Sequence, residues 1–179
     1  MLSLTPQAFS RILLRHDGST TALLAGLLDE PLGVRVLLQA QRSATAVLSP
    51  ELQSRMALSP DSAVILRRSE LIRGNRAPIS SNKVVMNPAH PLVAELTTGP
   101  DIPIGYFLNN QRVEQRRELV DRGMRRHHWG YERDVPSVWR SYVIFAQGKP
   151  LMHIEEVFHP DVVAGLPELP LTEISNEHD

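Results

Sequence analysis

Residues 138–160 read VWRSYVIFAQGKPLMHIEEVFHP, and this stretch decides the fold. VWRSYVIFA and LMHIEEVFH are β-branched and aromatic runs, and Gln147-Gly148-Lys149 between them supplies a turn, so the spacing predicts an antiparallel hairpin. Side chains of a strand alternate between its two faces. Met152, Ile154, Glu156 and Phe158 then share one side, and Leu151, His153, Glu155, Val157 and His159 share the other. The first side is apolar except for Glu156. A carboxylate placed there loses hydration, which favours its protonated form unless a cation or hydrogen-bond donors compensate. Glu156 is thereby a candidate general acid or an anchor for a ligand hydroxyl. The alternatives are a bulge that turns it to solvent and a structural ion pair with an arginine.

Outward from the hairpin, TPQAFSRILLRH (5–16) and TALLAGLLDE (21–30) have helical apolar spacing, with Ser19 or Thr20 as the N-cap of the second. GVRVLLQAQR (33–42), SAVILRRSELIR (62–73) and APISSNKVVMN (77–87) predict strands, the last two joined through RGNRAP as a second hairpin. HPLVAELTT (90–98) and QRVEQRRELVDRGMRRHHW (111–129) predict helices, with PDIPIGYFL (100–108) as a loop and turn between them. Hairpin-linked strands and segregated helices give an α+β fold, one domain over residues 1–165 with an antiparallel β-sheet and flanking helices. Residues 166–179, LPELPLTEISNEHD, read as a flexible acidic tail.

The composition narrows the function. A chain of 179 residues with 42% hydrophobic content fits a single core, and a monomer is expected of a chain that fills one domain. A net charge of −1 and a pI near 6.7 argue against a general binder of nucleic acid or membrane surfaces. The absence of cysteine removes disulfides, thiolate nucleophiles and Cys-ligated metals. The N-terminal residues carry no leading basic stretch, and no window approaches the ~20 apolar residues of a membrane span, so the cytoplasm is the expected location. Phosphate-binding glycine loops, GxSxG and HExxH are all missing, which leaves nucleotide cofactors and covalent serine chemistry without support. His153, Glu155 and His159 carry metal-ligating atoms, but positions six apart in a strand lie roughly 20 Å from one another, so no metal is expected.

Arginine is the other chemical resource. ILRRSELIR puts Arg67 and Arg68 on opposite sides of a strand, and Arg68 shares its side with Val64, Leu66 and Ile72. A guanidinium on an apolar face is a natural bidentate anchor for a carboxylate. An ion pair with Glu70 or with Glu156 is the alternative for Arg68. The arginines at 112, 116, 117, 122, 125 and 126 read mostly as a solvated helical face.

Several segments in order resemble the chorismate lyases, enzymes that split chorismate into 4-hydroxybenzoate and pyruvate. They are RILLRHDGSTTALL (11–24), LRRSELIRGNRAPI (66–79), IPIGYFLNNQRVEQRR (102–117) and the closing WRSYVIFAQGKPLMHIEEVFHP, with its G-x-P turn followed by E-x-F. The likeness is to the actinobacterial and cyanobacterial branch. The effector domains of one class of transcription regulators share the fold, so a small-carboxylate sensor is the competing implication. The resemblance puts the family's carboxylate-binding arginine on Arg68 and its ring-carboxylate backbone amide on Ile104. It puts the hydroxyl-binding glutamate on Glu156, although counting from Pro150 in the shorter branch selects Glu155. Thr20 becomes an N-terminal pocket contact, and Lys83 or Arg116 receives the enolpyruvyl carboxylate. It further implies a cofactor-free reaction with chorismate as substrate and 4-hydroxybenzoate as product.

Overall fold

The computed structural model describes residues 5–130 and 133–172. Two helices open the chain, α1 (Pro6–Arg15) and α2 (Thr20–Leu28). Thr5 caps α1 by accepting from the Ala8 amide at 3.1 Å, with proline in its first turn where no amide partner is needed. Ser19 caps α2, accepting from the Ala22 amide at 3.3 Å. That releases Thr20, the first helical residue, to send its hydroxyl elsewhere.

Strand β1 (Gly33–Ser43) leads through short helices α3 (Ala44–Val47) and α4 (Pro50–Arg55), segments to which the sequence reading assigned no element. The hairpin β2 (Ala63–Ile72) and β3 (Pro78–Met86) follows, then α5 (Pro91–Thr98) and α6 (Ile104–Gln111). The described residues end with β4 (Gln115–His127), β5 (Val135–Ala146), β6 (Lys149–Phe158) and the short β7 (Leu171–Thr172). Among the described residues no helix is long and apolar enough to cross a membrane. The seven strands among the described residues form one sheet in the order β1-β2-β3-β6-β5-β4-β7, antiparallel throughout except for the parallel pair β4–β7. The single-domain α+β expectation holds.

Three expectations are corrected. Residues 115–127 are a strand and not part of a helix, because the arginines that made the segment look like a solvated helix lay their stems on the sheet. Arg116 stacks 4.4 Å from the Phe145 ring centroid, and Arg125 lies 5.3 Å from that of Trp139. Residues 104–108, expected as part of a loop, belong to α6, which buries Phe107 and Leu108 one turn beyond its start. Within the expected tail, Leu166 is buried with Phe9 and Leu13, and β7 pairs with β4; residues 173–179 lie outside the described residues.

Both faces of the sheet are covered. One carries α1, α2, α5 and α6, under which lie two separate apolar clusters. The first gathers Leu13, Leu24, Leu71, Val138 and Phe158; the second gathers Val84, Phe107, Leu108, Ile144, Met152 and Ile154. The opposite face packs α3 and α4 on a third cluster that includes Val64, Leu66, Val85 and Val143. Between the first two clusters, strand register lines up a polar row: Ser69, Asn82, Glu156, Arg140 and Arg122 on β2, β3, β6, β5 and β4.

Candidate active site

The β5–β6 hairpin turns through Gln147 and Gly148, both at positive φ (52° and 74°), the backbone of a tight two-residue turn. The pairing then slips by one residue: Phe145 faces Pro150, but Ile144 faces Met152, so Leu151 is a β-bulge. Without that extra residue Glu155 would stand opposite Arg140. With it, Glu156 does.

Glu156 is 5% exposed and Arg140 1% exposed. Arg140 Nε donates to Glu156 Oε2 at 3.2 Å, and the Thr20 hydroxyl donates to the same oxygen at 2.9 Å. Nη2 of Arg140 reaches Thr20 Oγ1 at 2.6 Å, and Nη1 donates to the carbonyls of Leu13 at 2.6 Å and His16 at 3.0 Å. The guanidinium thus ties the C-terminal end of α1 and the start of α2 to the sheet. A carboxylate and a guanidinium so deeply buried are tolerable only when paired and hydrogen-bonded. Both donors converge on Oε2, so Oε1 is left free of them. Arg140 also lies 4.9 Å from the Tyr142 ring centroid. Burial pushes the Tyr142 phenol well above its usual range, and the Glu156 charge adds to the push.

Beside this pair is a cavity of about 120 Å³ lined by Arg15, His16, Asp17, Arg117, Arg140 and Tyr142, among others. Among the described residues Arg117 gives one bond, to the Asp17 carbonyl at 3.2 Å, while its Nε is buried without a partner. Burial, followed by the charges of Arg140 and Arg117, lowers the His16 pKa from 6.5 to about 4, so its ring is neutral at physiological pH. With His16 neutral, the positive charge of the cavity comes from Arg15, Arg117 and Arg140, set against the carboxylates of Asp17 in the lining and of Glu156 on Arg140.

On the other flank, Arg67 is on the Glu156 face of β2, two strands away from β6, or roughly 10 Å. It is 1% exposed, its Nη2 donates to Asp101 Oδ1 at 3.2 Å, and its Nε is buried without a partner among the described residues. Burial draws its pKa below the ordinary arginine value. A guanidinium with five donors and one such contact is underpaired for its depth.

The predicted residues divide by face. Glu156 and Thr20 are bonded together, and Ile104 opens α6, whose preceding Pro103 offers no side-chain cap to the first-turn amides. Gly105 beside it packs so tightly that a Cβ there would stand 2.4 Å from Ser19 Oγ, which draws the starts of α2 and α6 together. Arg68 does not join them. It is exposed on the opposite face, in the row Arg68–Lys83–Glu155. Lys83 is in that row too, and Glu155 is held by Arg125 at 2.8 Å. Arg116 is exposed on that face as well, paired with Glu118. Because both faces of the sheet are apolar, an apolar neighbourhood could not tell Arg67 from Arg68. Arg140, Tyr142 and Arg117 were missed. The signal for Arg140 was its place in the Val138, Tyr142, Ile144 alternation, the counterpart of Glu156 in the other arm.

The fold is shared with regulators of transcription. PhnF from Mycobacterium smegmatis superposes with a TM-score of 0.61 at 11% identity, covering 92% of this chain and 71% of that one. The C-terminal domain of the histidine utilization repressor from Pseudomonas syringae gives 0.56 at 9% identity, over 78% of this chain and 99% of that one. YydK from Bacillus subtilis, described as a possible transcriptional regulator, gives 0.56 at 10% identity over 78% of this chain, which spans 62% of that protein. Identities this low speak for the fold alone. No curated protein matches the chain in sequence. A family model does: the family described as "Chorismate pyruvate-lyase Rv2949c-like" matches residues 14–165, the span that contains Glu156, its bulge, Arg140, Thr20 and Arg67, and the chain belongs to that family.

Proposed function

We propose that the protein is a chorismate lyase, eliminating pyruvate from chorismate to give 4-hydroxybenzoate without a cofactor. The observation that carries this reading is the buried Glu156, with one oxygen committed to Arg140 and Thr20 and the other available, flanked by two underpaired guanidiniums. Chorismate is a dianion with one carboxylate on the ring and one on an enolpyruvyl ether. Arg67, aided by the amides at the start of α6, takes the ring carboxylate; a helix N-terminus favours anions. Arg117, in the cavity on the β4 side, takes the side-chain carboxylate in the role that Lys83 or Arg116 was expected to play, while Arg140, its donors spent on Glu156, Thr20, His16 and Leu13, adds only its positive field. Glu156 Oε1 holds the ring hydroxyl between them.

The chemistry is an elimination. The ether C–O bond between ring and side chain breaks with its electron pair passing to oxygen, a ring hydrogen leaves as a proton to solvent, and the released enolate takes up one proton at carbon to become pyruvate. The ring becomes aromatic, so no electron sink is needed. Holding one reactive conformer between two fixed cations can supply several kcal/mol of the barrier reduction, on the order of what well-oriented intramolecular reactions gain. The cavity of about 120 Å³ holds only the side-chain end, so the ring must enter beneath α2 and α6.

The second reading is a sensor that binds a small carboxylate without turning it over, favoured by the regulator domains that share the fold. Purified protein mixed with chorismate, without metal or nucleotide, decides between them. Equal release of pyruvate and 4-hydroxybenzoate above the enzyme-free control, lost in Glu156→Gln but kept in Glu155→Gln, supports the lyase. Intact chorismate with tight 4-hydroxybenzoate binding rejects it in favour of the sensor.

A further inference from the structure

We propose that Asp101 is a built-in competitor for the ligand carboxylate at Arg67, so that the linker between α5 and α6 tunes affinity for every acid the pocket admits. This rests on the reading of Arg67 as the carboxylate anchor. The side-on fork of a guanidinium, Nε together with Nη2, takes both oxygens of one carboxylate. In Arg67 one tine of that fork, Nη2, is used by Asp101 at 3.2 Å, and the other, Nε, is buried and unpaired. An incoming carboxylate that takes the whole fork must displace Asp101. Two carboxylates on one guanidinium would also repel each other at close range.

The two partners are unequally placed. Arg67 is fixed in the sheet with its side chain 1% exposed, while the Asp101 side chain is 62% exposed in the linker 99–103. Asp101 can exchange Arg67 for water at little cost, whereas Arg67 has no such exchange. An empty pocket thus keeps its buried cation compensated, and a filled one returns Asp101 to solvent. The linker that carries Asp101 runs directly into α6, whose Gly105 packs against Ser19 and Thr21, so the residue that vacates the fork stands next to the place where a ring would enter beneath α2 and α6. The price is lower affinity for substrate and product alike, which limits inhibition by product.

The test titrates 4-hydroxybenzoate into wild-type protein, Asp101→Asn and Asp101→Glu, with association rates by stopped flow and pyruvate release from chorismate measured in parallel. Asp101→Asn is expected to bind about fivefold tighter, the factor for an ion pair worth ~1 kcal/mol. The gain should appear as faster association, since the fork no longer has to be vacated, and Asp101→Glu should return toward wild type. Equal or weaker binding by Asp101→Asn overturns the proposal, because Asp101 is then a bystander or a latch, and wild-type pyruvate release would leave the lyase reading untouched. Tighter binding by Asp101→Asn in a protein that leaves chorismate intact upholds the competitor and rejects the lyase. If no variant binds 4-hydroxybenzoate, Arg67 is not the anchor and both readings fall.

Discussion

Arg140 and Glu156 stand directly opposite each other on β5 and β6, both buried, with Arg140 Nε 3.2 Å from Glu156 Oε2. Removing one member of such a pair strands the other without solvent or countercharge. Arg140→Met is expected to cost about 3–5 kcal/mol of stability, whereas Arg140→Met combined with Glu156→Leu should recover most of the loss. Urea denaturation measures both. A double variant less stable than either single one would show that the pair is held by more than its own charges, and the double variant should release no pyruvate in either case.

The Arg67–Arg68 doublet gives a prediction by face. Arg67→Gln should weaken 4-hydroxybenzoate binding by at least about tenfold, since a hydrogen bond to a charged group is worth ~1.5–3 kcal/mol. Arg68→Gln, exposed on the far side, should stay within about twofold, as surface changes commonly do. Isothermal titration separates the outcomes, and equal losses from both would move the pocket away from Arg67.

Gly105 is where α2 and α6 meet. Any side chain there collides with Ser19 and Thr21, whose own helix start carries Thr20. Gly105→Ala should cost about 1–3 kcal/mol as overpacking and lower turnover by shifting the Thr20 hydroxyl off Glu156. Thermal unfolding and the pyruvate assay check the two effects; Gly26→Ala, which meets nothing within 4 Å, is the matched control.

Stability should fall as the solution is acidified. His16, His127 and His153 each have a pKa lowered from 6.5 to about 4, with burial as the leading cause. Above pH ~6.5 these rings are neutral whether the chain is folded or not. Between ~6.5 and ~4 the unfolded chain takes up protons that the folded chain refuses, so stability is lost through that window and levels off for these groups below it. His153, whose ring nitrogens are both buried without partners, should contribute most, about 3 kcal/mol over the full shift. His16 and His127 are more open to solvent and contribute less. Denaturation midpoints at stepped pH test this, and His153→Leu should flatten the slope.

Much of this was legible in the residues. The closing hairpin, the β2–β3 hairpin, α1, α2 and α5 followed from local rules, because turn residues, caps and apolar spacing act over a few positions. Glu156 was found because an acid breaking an apolar alternation is itself the signal. What failed depended on pairing across the sheet. Choosing Arg67 over Arg68, or Arg117 over Arg116, needs to know which side of a twice-covered sheet each strand shows. β4 was disguised by arginines whose stems act as apolar surface, yet Gly123 within it was a mark against a helix; a Cβ there would stand 3.2 Å from the Trp139 indole nitrogen. In α6, Ile104, Phe107 and Leu108 have helical spacing just after Pro103, a signal outweighed by the prolines around it.

The polar row that divides the helical face has a consequence for cooperativity. Among the described residues the buried apolar side chains under α1–α2 and those under α5–α6 form separate clusters, joined where Gly105 packs on Ser19 and Thr21, so each half can loosen by a local opening of lower free energy than global unfolding. A dianion spanning Arg67 to Arg117 crosses the seam from one half to the other and would join them into one unit. Amide hydrogen exchange should then slow in α2 and α6 together when ligand is added, at the same rate in both helices, although neither belongs to the other's core.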